Sequence, residues 1–188
     1  AAGALTLAVS LGIRHAFGLF LAPMSRDNGW TREVFAFAIA LQNLVWGAAQ
    51  PFAGRLADRF GAGKAILAGT VLYVAGLLLM AQSQSASALA LSAGLLIGLG
   101  LSGTTINVVF GAIARSTPPE KRSLAMGIAM SVGSLGQFAM LPGALSAIEA
   151  IGWASTLVAL AALGATMAPL SGALFEKAPA GGSGQAAM

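Results

Sequence analysis

Gly54-Arg55-Leu56-Ala57-Asp58-Arg59-Phe60-Gly61-Ala62-Gly63-Lys64 places four charged residues and three glycines in eleven positions, between two long apolar runs. The pattern predicts a tight loop at a water-facing surface. Gly61 and Gly63 can take positive φ at little cost, so the backbone can reverse within a few residues. Arg55, Arg59 and Lys64 keep their charges in water around Asp58 while the flanking runs enter an apolar phase.

Composition names that phase. The chain has 188 residues, 57% of them hydrophobic and only 9% charged, with a mean hydropathy of +0.83. Such a chain belongs in a bilayer. Its net charge of +4 does not point to nucleic acid, because the basic residues are dispersed at helix ends rather than gathered on one face. There is no cysteine and one histidine, which excludes disulfides, cysteine nucleophiles and cysteine- or histidine-rich metal sites. No cofactor, metal or catalytic residue is expected. The chain opens at Ala1 without an initiator methionine, which is the expectation for a trimmed or fragmentary sequence. No cleavable signal peptide is expected, since Arg14 interrupts the first apolar run and no small-residue cleavage site follows it.

Six apolar runs, over residues 4–24, 31–53, 65–81, 88–114, 123–148 and 153–175, are each about as long as the roughly 20 helical residues that cross a hydrocarbon core. The fold class is therefore all-α, a polytopic membrane protein with a six-helix bundle over residues 1–175. Ser25 to Trp30 reads as a polar turn with Thr31 as the next helix N-cap, and Pro118-Pro119 stops the fourth helix. Residues 176–188, rich in Gly and Ala with one Pro, read as a flexible cytoplasmic linker. Basic residues set the orientation. Arg55, Arg59, Lys64, Arg115, Lys121, Arg122 and Lys177 fall on one side, and only Arg26 and Arg32 on the other. The side with seven is the cytoplasmic one, which also takes both termini. Trp30 and Trp153 fit interfacial anchors on the opposite side.

Within the spans, Gly94 and Gly98 of the fourth helix, and Gly127, Gly133, Gly136 and Gly143 of the fifth, are expected to allow close helix approach. Pro51, Pro142 and Pro169 are expected to bend their helices. Polar residues there are costly and usually face a cavity or a partner. Arg14 stands near the middle of the first span, and no acidic residue lies inside any of the six to neutralise it. It can await an anionic substrate, a carboxylate outside this chain, or backbone carbonyls. His15 is next to it, about 100° around the helix, and is either a proton relay or a packed histidine. Gln42, Trp46 and Gln50 recur every fourth residue with Asn43 beside them, forming a stripe that lines a cavity or joins helices. Thr104, Thr105 and Asn107 in the fourth helix and Gln137 in the fifth allow the same two readings.

One enzyme reading is open to a direct test. Gly100-Leu101-Ser102-Gly103 on the fourth helix looks like the nucleophile motif of rhomboid intramembrane proteases, but the sixth helix has no histidine to activate a serine. A water channel of the aquaporin type would need two Asn-Pro-Ala motifs, and neither occurs. A membrane receptor domain has no feature in its favour.

The loop at Gly54 to Lys64 resembles the one between the second and third helices of the major facilitator superfamily of transporters. Pro119-Glu120-Lys121-Arg122 followed by Ala125-Met126-Gly127, and Gly152-Trp153, resemble the starts of its fifth and sixth helices. Gly12-Ile13-Arg14-His15-Ala16-Phe17-Gly18, Gly29-Trp30-Thr31-Arg32 and Gln42-Asn43 are similar to bacterial members related to monocarboxylate and oxalate/formate transporters. The fourth helix lacks the arginine of many proton-coupled members, and Ala62-Gly63 replace basic residues common in the loop. The resemblance implies two six-helix halves, each a 3+3 inverted repeat, of which this chain is the N-terminal one. It implies a plasma or inner membrane protein whose partners are the bilayer, the second half and a small-molecule substrate, with or without protons. Small organic anions are the expected substrates, with export of larger amphipathic compounds as the alternative. Arg14, His15, Gln42, Thr105, Asn107 and Gln137 are then substrate-facing. Gly54, Asp58, Arg59, Gly61 and Lys64 form a conformational latch on the cytoplasmic side. The first and fourth helices would line the central cavity, and the third and sixth would face lipid.

The charge asymmetry predicts that a reporter fused after Lys177 is active as a cytoplasmic fusion. Periplasmic activity at that position would reverse the orientation.

Overall fold

The structure, a computed structural model, describes residues 2–174. They contain six helices long and apolar enough to cross a membrane: α1 (Ala2–Asn28), α2 (Arg32–Phe60), α3 (Ala62–Ala81), α4 (Ala86–Ser116), α5 (Pro119–Ile151) and α6 (Trp153–Gly172). No strand occurs among the described residues. Hydrocarbon offers no partner for a backbone N–H or C=O, and a helix pairs both within its own segment. Phe175 and the linker expected over residues 176–188 lie outside the described residues.

Several helices overrun the expected spans. Bilayer thickness limits the apolar run, whereas good helix formers such as Arg, Leu and Ala carry the helix on into water. The loop expected over residues 54–64 thus shrinks to one residue. Gly61 ends α2 and starts α3 with φ 94° and ψ 147°, its N–H donating to the Ala57 carbonyl. Only glycine takes that conformation without strain. Gly63, the second candidate for positive φ, is buried inside α3. The polar turn expected at Ser25 is likewise helical as far as Asn28. Thr31 occupies the N-cap position of α2, but its side chain makes no cap bond. Ser85 does cap α4, accepting from the Ala88 N–H at 3.2 Å.

α1 packs along α5, α3 lies between α4 and α6, and α4 also lies against α2. Small residues make these approaches possible. A Cβ at Gly136 would stand 2.5 Å from the Ala8 carbonyl oxygen of α1, and one at Gly100 would stand 2.7 Å from the Tyr73 backbone of α3. Gly94 and Gly98 meet Leu41 and the Gln42 carbonyl of α2. The expected close face of α5 is narrower than its glycines suggested. Gly133 faces Leu7 at an ordinary 3.5 Å, and Gly127 and Gly143 have nothing within 4 Å. One core cluster gathers Phe17, Phe20, Tyr73, Leu77, Ile97 and Leu157, and a second, around Leu7, Ile66 and Val109, fills the other end. α3, expected to face lipid, is exposed on one side only, with Val71 and Leu79 open and Ile66, Tyr73, Leu77 and Met80 buried. The most open apolar surfaces belong to α2 and α5, where Phe37, Phe52, Leu135 and Phe138 are exposed.

α4 is not one regular helix. A π-helical stretch, Ala90–Leu96, is followed by α-helix to Thr104. Thr105 is extended (φ −105°, ψ −165°), and a second α-helical segment, Ile106–Ser116, begins after it. α6 is interrupted at Thr166, three residues before Pro169, whose missing N–H leaves the Ala165 carbonyl without its helical donor.

Gly136→Val forces side-chain atoms into the α1 backbone and is expected to cost about 1 to 3 kcal/mol. Gly143→Ala, in open space inside α5, should leave stability unchanged or raise it by up to about 1 kcal/mol. Thermal unfolding of the two detergent-solubilised variants compares them directly, and equal midpoints would contradict the α1–α5 contact.

Candidate functional site

Between α1 and α2 lies a cavity of about 610 Å³, whose polar lining is Arg14, His15, Gln42 and Asn43 and whose apolar walls include Phe17, Leu21, Phe35 and Ile39. Arg14 reaches it because Ala16, Phe17 and Phe20 turn the buried face of α1 inward and leave residues 14, 15 and 18 on the side toward α2. The half-buried guanidinium donates from Nη2 to Asn43 Oδ1 at 2.6 Å and stands over the Trp46 ring, 4.6 Å from its centroid. Its Nε is buried with no hydrogen-bond partner. No carboxylate pairs with Arg14 among the described residues. An arginine held by a neutral amide and an aromatic face keeps its whole positive charge and several donors for another group.

The α2 stripe proves to be a seam with α4 as well as a cavity wall. Gln42, 1% exposed, donates to the Ala93 carbonyl at 2.8 Å, so its amide is committed to joining helices. Trp46 Nε1 donates to Thr105 Oγ1 at 3.1 Å, and Gln50 accepts from Asn107. Asn43 is fixed by its own donation to the Ile39 carbonyl at 2.9 Å. Of the six candidate residues, Arg14, His15 and Gln42 line one cavity. His15 is exposed at its rim. Thr105 connects to the site through Trp46, and Asn107 faces Gln50 further along the seam. Gln137, half-buried on α5, is not part of the cavity lining.

Three contributors were not among the site residues expected from the sequence. Trp46 and Asn43 belonged to the stripe, but their contact with Arg14 depends on how α1 lies against α2. Ser10, one turn before Arg14, donates to the Thr104 carbonyl at 3.2 Å and so ties α1 to α4 where α4 breaks. The break follows Gly103-Thr104-Thr105, a glycine and two β-branched residues of low helix propensity, which was the available signal.

At the far end of α2, Asp58 accepts from Arg115 Nη1 at 3.2 Å, with the Asp58 side chain 75% exposed. The partner of Asp58 is thus on α4 and not among the basic residues of its own turn. Gly54 has open space around it, Lys64 is exposed, and Arg59 lies over Phe60 at 5.2 Å.

A family model described as Major Facilitator Superfamily matches residues 3–187. The chain belongs to the major facilitator superfamily. It is 29% identical to monocarboxylate transporter 13 of Bos taurus, over 94% of this chain and 42% of that protein. It is 28% identical to monocarboxylate transporter 11 of Mus musculus, over 89% of this chain and 37% of that one. It is also 28% identical to multidrug resistance protein MdtH of Yersinia pestis, over 90% of this chain and 46% of that protein. The chain therefore spans about two fifths of the length of these relatives.

An exposed ion pair such as Asp58–Arg115 contributes no more than about 1 kcal/mol to stability. Asp58→Asn should accordingly leave the yield of folded protein unchanged, and on the expectation that Asp58 belongs to a latch it should lower the transport rate of a full-length carrier. Loss of folded protein with normal transport by the remainder would make the pair purely structural.

Proposed function

We propose that this superfamily member is part of a carrier for small organic anions of the monocarboxylate kind, working by alternating access with or without a coupled proton. The observation that carries the reading is Arg14. A guanidinium near the middle of a span, on a cavity wall, without a carboxylate partner among the described residues and with its Nε unsatisfied, suits a planar anion. Such an anion is bound through two parallel hydrogen bonds, which strengthen as water is excluded. Phe17, Phe35 and Ile39 would then accommodate its carbon chain, with His15 at the rim and Asn43 holding the guanidinium in place. Similarity to two monocarboxylate transporters supports the same substrate class.

In this reading a second six-helix half completes the cavity, covers the exposed faces of α2 and α5, and works against an Asp58–Arg59–Gly61 latch. The protein sits in the cell membrane with both termini in the cytoplasm, as its basic residues favour. A second reading, an exporter of larger amphipathic compounds, is favoured by the mostly apolar cavity walls and the similarity to a multidrug resistance protein.

Arg14→Gln separates these readings. Losing a charge-assisted hydrogen bond of about 1.5 to 3 kcal/mol should weaken monocarboxylate binding roughly ten- to hundredfold while leaving solubilised yield intact. Arg14→Lys should recover only part of the loss, because an ammonium lacks the planar fork. Normal uptake by a well-folded Arg14→Gln protein would remove Arg14 from the site, and unchanged export of larger amphipathic compounds would favour the second reading.

A further inference from the structure

Arg14 is gripped on two sides, and both contacts come from α2: the Asn43 amide and the Trp46 ring. Trp46 is itself held by α4. Its indole N–H donates to the Thr105 hydroxyl at 3.1 Å, and that hydroxyl donates its only proton to the Leu101 carbonyl at 2.7 Å. The chain of bonds has one direction, because an indole N–H cannot accept and the Thr105 proton is already committed. Thr105 is also the residue at which α4 leaves the helical conformation. The position of the indole thus depends on the backbone of α4 at its break, and the position of the guanidinium depends on the indole.

The break is also held from α1, which α3 holds in turn. Ser10 of α1 donates to the Thr104 carbonyl, and Tyr73 of α3 donates to the Ser10 carbonyl at 3.1 Å. Tyr73, Ser10, Thr104 and Thr105 are all buried. A helical C-terminus in hydrocarbon must have its carbonyls paired, and here two of the pairings at the break are Ser10 to Thr104 and Thr105 to Leu101. Straightening α4 would move the Thr105 hydroxyl away from the indole and release the stacked guanidinium.

We propose that Trp46 is a positioning residue that couples the break of α4 at Thr105 to the anion-binding guanidinium of Arg14. This rests on the anion-carrier reading of Arg14 and adds to it that anion affinity is set by the conformation of α4. Trp46 need not touch the anion. Its indole N–H is committed to Thr105 of α4.

The experiment uses the full-length protein with pyruvate as probe and two conservative variants. Trp46→Phe keeps an aromatic face and removes the N–H. Thr105→Val keeps the branched shape and removes the acceptor. Each should weaken pyruvate binding about three- to tenfold, and the double variant should be no weaker than the worse single one, as for residues in one hydrogen-bonded chain. A ligand-free readout accompanies it: the 19F resonance of 5-fluorotryptophan at position 46, assigned by its loss in Trp46→Phe. In the wild type Arg14→Gln should shift this resonance, and in the Thr105→Val background that shift should be largely gone. Additive losses of affinity, or an Arg14→Gln shift of the same size in both backgrounds, would overturn the coupling. If Arg14→Gln binds pyruvate as tightly as the wild type, it is the anion-carrier reading that fails, and the 19F comparison still decides whether Trp46 links Arg14 to α4.

Discussion

In hydrocarbon a backbone carbonyl that loses its helical donor has no water to turn to, so a helix can break inside a membrane only where side chains take over its pairing. α4 meets that requirement at Thr105, with help from Ser10 of α1 and from its own threonine hydroxyl. Much of the bundle follows from this local need. α1 has to lie close enough for Ser10 to reach Thr104, which is consistent with small residues, Ala8, Gly12 and Gly136, carrying its contact with α5. α2 has to present Trp46 at the same level, and that orientation aims Asn43 at Arg14.

The electrostatics of the site are a consequence of the same placement. A full charge in a low-dielectric setting is expensive unless paired. Arg14 is half-buried, beside a cavity, and its partners among the described residues are a neutral amide and a π face. Neither cancels the charge. The arrangement keeps the guanidinium in one orientation without spending its positive potential, which is the condition under which an incoming anion gains most from it.

The fold was legible in the sequence to the extent that it depends on solvent. Six apolar runs, the basic turn at Gly61 and the prolines after Ser116 mark six helices and their order, because bilayer thickness and backbone pairing leave few alternatives. Helix ends were less legible, since Arg55 to Phe60 prolong α2 beyond the apolar run. Arg14 stood out because an unpaired charge in a span is rare. Its neighbours did not, because Asn43, Trp46 and Ser10 are each ordinary in a membrane helix and acquire meaning only from the angles at which α1, α2 and α4 meet. The glycines of α5 show the same limit: Gly136 and Gly143 look alike in sequence, yet one touches α1 backbone and the other faces open space.

α4 meets α2 through Gly94 and Gly98, and α3 through Gly100 and Gly103. At Gly100 and Gly103 backbone lies against backbone, while Leu41 and Val45 of α2 seat over Gly94 and Gly98 and Ile97 of α4 seats over Gly76, so steric interlocking fixes only part of how far the helix is pushed along its own axis. The rest of that axial register is left to a handful of directional bonds: Gln42 to Ala93, Ser10 to Thr104, and Trp46 to Thr105. The most buried helix of the bundle is held lengthwise by polar side chains of its neighbours, much as a piston is held by pins and not by threads.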